Sequence, residues 1–222
     1  MQPAGPAYSI RTPRLHVRCF DPRDAPALKQ AIDASLEHLL PWLPWAREEP
    51  QSVEAKAEVL RRFRARFDLD KDWNYGIFDA AQTELVGGLG LHLRSGREAR
   101  ELGYWIAKAH AGQGLGSEAV AAIVRVGFEV EHLERMEIHC DEDNARSAAL
   151  ARKLGFHHDG TLRDRSERGD GSRGSRMVWS LLASEYESSP AARSECEAFD
   201  ALGRKLLSRP APAGARSRSA FR

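Results

Sequence analysis

A chain of 222 residues, 42% hydrophobic and 29% charged, has the balance of one ordinary globular domain with enough apolar side chains for a substantial core. Its net charge of +1, from 33 basic and 32 acidic residues, provides no overall field for nucleic acid, so direct nucleic-acid binding is not expected. Cys19, Cys140 and Cys196 stand at spacings unlike a disulfide framework, no apolar run is long enough to span a membrane, and no leader pattern opens the chain, so a reducing cytoplasm is the expected setting.

Residues 14–20 (RLHVRCF) alternate and predict a first strand. Residues 21–40 predict a helix, opened by cap-type Asp21 with Pro22 at the first helical position and carrying Leu28, Ile32, Leu36 and Leu39. Pro41 and Pro44 stop it. Trp42 and Trp45 lie in that break, where aromatic side chains on a proline-rich loop suit the wall of a substrate pocket; plain packing is the alternative. Residues 52–67 predict a second helix with Val53, Val59, Leu60, Phe63 and Phe67 on its apolar side. Strands follow at 73–79, 84–93 and 98–107, and Gly87-Gly88 inside the second suggests a bulge or a close backbone approach.

The most telling segment is 101–122. Leu102, Tyr104 and Ile106 alternate with Gly103 and Trp105 as in a buried strand, then Gly112, Gly114 and Gly116 precede an apolar stripe of helical spacing from Leu115 through Ala119, Ala122, Ile123, Val126 and Val130. A glycine turn that feeds a helix N-terminus presents unpaired backbone N–H groups, and the helix dipole there favours an anion such as a pyrophosphate. Ser117 and Glu118 follow Gly116 where a nucleoside-triphosphate loop needs Lys and then Ser or Thr, and Ser117 stands where a dinucleotide fingerprint needs glycine. Next come a short strand over 135–140, the turn Asp141-Glu142-Asp143, and Asn144 as N-cap of a helix over 145–154 that ends at Gly155. Two last strands are predicted at 157–165 and 176–183, joined by the polar, glycine-rich loop 167–176, which needs contacts to hold one shape. Beyond 188, Phe199, Leu202, Leu206 and Leu207 predict a short helix face. The end of the chain, with four arginines and no acid, reads as a disordered tail, inert or ribosome-facing.

On GYWI (103–106), GQGLGSEA (112–119) and NARSAALARKLGF (144–156), in order with LLPWLPWA, WNYGIFD and ELVGGLGL, the chain resembles the GNAT superfamily of N-acetyltransferases and its RimJ/RimL branch. The resemblance covers residues 8–188 and leaves 189–222 as an extension. It implies an α/β fold with a mixed α+β sheet of about seven strands and four helices, and acetyl-CoA bound between two splayed central strands. It also implies that the backbone of Gly112, Gln113, Gly114, Leu115, Gly116 and Ser117 holds the pyrophosphate, and that Tyr104, Trp105, Ile106 and Asn144 line the rest of the cofactor site. No metal is expected. Two positions depart from the family. Ala111 stands where relatives carry Arg or Gln, and Ala151 where many carry an acidic tyrosine.

Asn144 and Ser147 lie three apart and share one face of the first helical turn. By the resemblance, Ser147 hydrogen-bonds the CoA sulfur; N-capping by Asn144 and tight packing at Ser147 are the plain alternatives. Glu101, at the head of the central strand, is placed to relay a proton through water, with Asp164 and Glu167 as competitors. Without an evident strong base, the site suits an α-amine, about a quarter neutral near pH 7.4, better than a lysine, about a thousandth neutral. The expected reaction is acetyl transfer from acetyl-CoA to a protein or peptide N-terminal α-amine, with Trp42 and Trp45 contacting the acceptor. A small amine as acceptor, or a degenerate acyl-CoA binder, is the alternative. Homodimerisation is left open.

Overall fold

The computed structural model describes residues 6–93 and 99–208. In chain order the elements are β1 (Ser9–Arg11), β2 (Leu15–Cys19), α1 (Ala25–Asp33), α2 (Leu36–Leu39), α3 (Val53–Asp68), β3 (Asp72–Asp79), β4 (Leu85–His92) and β5 (Ala99–Ile106). They continue as α4 (Leu115–Glu129), β6 (Arg135–Asp141), α5 (Ala145–Lys153), β7 (His157–Glu167), β8 (Arg173–Leu182), α6 (Ala183–Tyr186), β9 (Glu197–Phe199) and β10 (Lys205–Leu207). The strands form one mixed sheet in the order β10-β9-β1-β2-β3-β4-β5-β6-β8-β7. This is the expected α/β class, with ten strands where about seven were anticipated.

Among the described pairs, β5 with β6 is the parallel one, and it is short: Ala99–Glu101 against Arg135–Glu137. A parallel pair needs a long crossover, which α4 supplies. Each strand stays paired on its other side, β5 with β4 as far as Ile106 and β6 with β8 as far as Asp141. The sheet therefore opens between β5 and β6 beyond Glu101.

The larger core lies on the face covered by α4 and α5, where Ala119, Val120, Ala122, Ile123 and Val124 are fully buried against Leu102, Met136 and Ile138. A smaller cluster of Phe20, Leu28, Ile32, Leu60, Phe78 and Leu85, with Trp105 packed against it, joins α1 and α3 to the other face. At Gly87 a β-carbon would lie 2.2 Å from the Trp105 carbonyl oxygen, so the glycine permits the close backbone approach anticipated there. The helix expected over 21–40 is broken. Asp21 and Asp24 cap a short 3-10 turn, α1 follows, and a second interruption falls at Ser35, whose buried side chain accepts a bond from the Lys108 backbone N–H at 2.9 Å. The glycine-rich loop expected over 167–176 narrows to a turn over 168–172 between β7 and β8, and Arg168 ties that turn to Asp141 at 3.0 Å and to Asp143 at 2.6 Å.

The helix anticipated over 199–207 is not formed. Asp200 accepts bonds from the N–H groups of Leu202 and Arg204, Gly203 adopts φ +73, and the resulting turn folds β9 and β10 into a hairpin on the free edge of β1. Cys196 and Ala198 are fully buried there, and Arg125 of α4 donates to the carbonyls of Ser194 and Ser208, so residues 189–208 seal α4. The arginine-rich end of the chain lies outside the described residues. Ending the chain at Ser194 should lower Tm by about 10 °C, the equivalent of losing about 3 kcal/mol of buried apolar contacts in a protein of this size. A thermal melt unchanged by that truncation would mark the extension as independent of the domain.

Candidate active site

The turn before α4 has the geometry expected of an anion cradle. Gly112 and Gly114 both lie at φ +78, in the left-handed region that glycine adopts without strain, and Gly114 caps the helix. The first-turn N–H groups of Leu115, Gly116 and Ser117 have no carbonyl four residues back within the helix. A β-carbon at Gly112 would meet nothing within 4 Å, so the turn is open to a ligand, whereas one at Gly116 would press on Ile106 at 3.2 Å. The Gln113 amide folds back onto the Ala109 carbonyl at 3.0 Å, which leaves its backbone for the cradle. Arg14, 99 residues away in sequence, donates to the Gln113 carbonyl at 3.0 Å and to Glu118 at 2.6 Å, and its second terminal nitrogen lies 3.6 Å from the β-carbon position of Gly114. The β1–β2 turn thus brings a positive charge to the cradle, a contribution that no local pattern in the sequence announces.

On the same face, where β5 and β6 part, Tyr104 and Ser147 meet. Their hydroxyls are 2.9 Å apart, across from one arm of the opening to the first turn of α5. Asn144 caps that helix by accepting from the Ser147 N–H at 3.0 Å, which orients the serine. Burial pushes the Tyr104 phenol up to about 12, partly offset by the bond to Ser147, so it remains a proton donor at neutral pH. Cys140 of β6 lies beside the pair, its thiol raised by burial and in hydrogen-bonding reach of Ser147. Ala151 leaves no tyrosine at the position where the resemblance implies an acid, and Tyr104 brings a phenol to Ser147 from the opposite strand.

The other face carries a different chemistry. Alternation places Glu101, Gly103 and Trp105 of β5 there, beside Gly88, Gly90 and His92 of β4. The Glu101 carboxylate lies 3.5 Å from His139 Nδ1, and His139 Nε2 is 2.8 Å from Glu137. The Trp105 ring covers Gly88, its indole nitrogen nearest, and packs edge-on against Trp45 at 6.3 Å between centroids. Trp45 therefore reaches the site through Trp105, and Trp42 stands at the start of the same loop; the two are exposed to a similar degree. A buried ion pair between Lys56 and Glu49 anchors that loop, and a second pair joins its Arg47 to Glu167 of the β7–β8 hairpin. A β-carbon at Gly169 would clash with the Leu40 carbonyl, so the hairpin turn rests directly on the end of α2. The competing carboxylates lie apart from this cluster: Asp164 is exposed and bonded to Arg173, and Glu167 is held below the ordinary carboxylate range by its bond to Arg47.

An acetyltransferase (GNAT) domain model matches residues 14–157. The chain belongs to the GNAT acetyltransferase family. It is 30% identical to the protein YdaF of Bacillus subtilis (strain 168) over 176 residues, which cover 78% of this chain and 93% of the relative. It is 29% identical over 164 residues to the [ribosomal protein uS5]-alanine N-acetyltransferase of Escherichia coli (strain K12), covering 72% of this chain and 83% of that one. Among solved structures, RimJ of Mycobacterium smegmatis in complex with CoA-disulfide superposes with a TM-score of 0.75 at 25% identity, covering 86% of this chain and 94% of RimJ.

As a GNAT enzyme this chain is an acetyl-CoA-dependent acyltransferase, and its own geometry fits that co-substrate. The glycine cradle at 112–117 suits the pyrophosphate, and the opening between β5 and β6 leaves backbone groups of Gly103–Ile106 without a strand partner on that side. Among the described residues no cluster could hold a metal ion, and no helix is long and apolar enough to cross a membrane. Gly114→Val should weaken CoA binding at least tenfold by calorimetry, because a β-branched side chain is strained at φ +78 and blocks the anion. Unchanged affinity would remove the cradle assignment. Ser147→Ala should lower kcat about 10- to 100-fold with little change in KM for acetyl-CoA, the loss expected of a bond to developing thiolate charge. Tyr104→Phe should lower kcat in the same sense, and the double variant should lose less than the product of the two effects. Multiplicative losses would mean that the two hydroxyls act separately.

Proposed function

We propose that this enzyme acetylates the α-amine of a protein or peptide N-terminus in the cytoplasm. The charge of the acceptor face carries this reading. Glu101, Glu137 and Asp72 line it, with side chains 12–18% exposed. Carboxylates stabilise an ammonium and raise its pKa, so a lysine held there stays protonated and unreactive. An α-amine meets the same upward pull but starts near 7.8 rather than near 10.4, so for any given shift it keeps the larger neutral fraction. The similarity to the uS5-alanine N-acetyltransferase supports the same class of acceptor.

In this reading Glu101 gives the incoming ammonium its counter-charge, and Trp45, Trp105 and the β7–β8 turn frame the entrance. Arg14 takes over the phosphate contact that Ala111 does not make. Thiolate leaves on the opposite face of the sheet, where Ser147 donates to it and Tyr104 backs the serine. Three buried free cysteines accord with a reducing setting. A peptide with a free N-terminus should be acetylated at that amine, and an N-blocked twin containing lysine should not, as read by mass spectrometry. Labelling confined to the lysine, or seen only with polyamines or aminoglycosides, would overturn the assignment.

A further inference from the structure

On the acceptor face His92 has no role in what is assigned above, and it is held by Asp72, one of the carboxylates lining that face. His92, the last residue of β4, places its Nδ1 2.8 Å from Asp72 Oδ1 of β3. The imidazole folds back along its own strand rather than out to solvent. A β-carbon at Gly90 would lie 2.5 Å from His92 Nε2, and one at Gly103 3.5 Å from it, so the ring occupies space that only these two glycines leave free. Gly90 and Gly103 face each other across the β4–β5 ladder, as do His92 and Glu101. The Trp105 indole covers Gly88, two residues back on the same face, about 7 Å along the strand. Imidazole and indole therefore follow one another along the same glycine-floored stretch of sheet, with the Asn74 side chain also reaching Gly90, at the point where β5 begins to lose its partner.

The tautomer follows from the Asp72 contact. Burial alone would raise the Asp72 carboxyl, but the hydrogen bond from His92 and the nearby Arg66 cation help to hold it below the ordinary carboxylate range. A carboxylate only accepts, so Nδ1 carries the hydrogen, and in the neutral ring Nε2 presents a lone pair over Gly90 and Gly103. Among the described residues, the charged groups around the ring are Asp72 on β3, Arg66 of α3 at 3.3 Å from Asp72, and Glu101 on β5, itself in contact with His139 of β6.

We infer that His92, oriented by Asp72, is the group that takes the proton from the acceptor ammonium. The step rests on the acetyl-transfer reading and balances as follows. R–NH3+ gives one proton to Nε2, and the freed amine forms the new C–N bond at the thioester carbon. The C–S bond breaks, and the second amine proton ends on sulfur by way of Ser147 and Tyr104. One net proton per turnover then leaves the imidazolium for solvent, with Glu101 beside it to stabilise the transient charge. Imidazole as a class titrates nearest the working pH, which favours it over a carboxylate for this task.

The test compares wild type with His92→Gln, Asp72→Asn and Gly90→Ala by thiol release from acetyl-CoA, between pH 6 and 9. Two acceptors are used, a free-N-terminus peptide and a small primary amine, because either must lose a proton. His92→Gln should lower kcat/KM for the acceptor about 100-fold at pH 7 with KM for acetyl-CoA unchanged. Its residual rate should climb about tenfold per pH unit below the amine pKa, since deprotonated amine must then come from solution. Gly90→Ala keeps the histidine but displaces the ring, and should reproduce most of that loss. Activity within twofold of wild type in His92→Gln at every pH, or a loss independent of pH accompanied by weaker acetyl-CoA binding, would overturn the inference. Wild-type turnover of the small amine alone would overturn the N-terminal acceptor instead, and the His92 comparison is then read on that amine.

Discussion

The structure depends on the early end of one strand pairing. β5 and β6 share a ladder only from Ala99 to Glu101, and each then continues with a partner on its outer side alone. Backbone N–H and C=O groups in a sheet interior need partners, so an opening there is stable only as a site that water or a ligand fills. The parallel pairing makes the arrangement possible, because α4 must cross over between the strands and its N-terminus then falls at the wide end of the opening. One constraint of topology places the anion cradle, the free strand edge and the first turn of α5 together.

A sheet that opens in this way has two approaches, and the side chains divide between them by strand alternation. Leu102, Tyr104 and Ile106 face α4 and α5, with Ser147 and Cys140 beside Tyr104. Glu101, Gly103 and Trp105 face the other way, among His92, His139 and Trp45. In the proposed reaction, hydroxyl donors thus stand where the thiolate departs, and carboxylates with imidazoles stand where the cation arrives. Separating the two keeps the proton acceptor from quenching the proton donor, and the period of two along β5 is enough to achieve it.

The proposed acceptor entrance is held by charge as much as by packing. Arg47 on Glu167 and Arg168 on Asp143 are partly exposed pairs that add little stability, whereas the buried Asp141 depends on Arg168 for its partner; together they fix how the hairpin and the loop meet. Lys56 and Glu49 are buried together, so each depends on the other to avoid an unpaired interior charge, and the Trp45 loop is pinned at its base.

The sequence by itself determined the elements whose cause is local. The period-two pattern of residues 102–106, the glycines that adopt φ +78 at 112 and 114, the apolar stripe of α4 and the Asn144 cap all arise from backbone and side-chain preferences within a few residues. The family and its co-substrate were legible for the same reason, since those short stretches carry the cradle. Only the tertiary structure decided what rests on partners far apart in the chain. Ser35 breaks a helix to serve Lys108, the segment after 195 pairs with β1 instead of coiling, and Arg14 reaches a loop 99 residues away. Tyr104 finds Ser147, and Asp72 finds His92 over two glycines, through strand register, and register follows from the packing of the whole sheet rather than from any one strand.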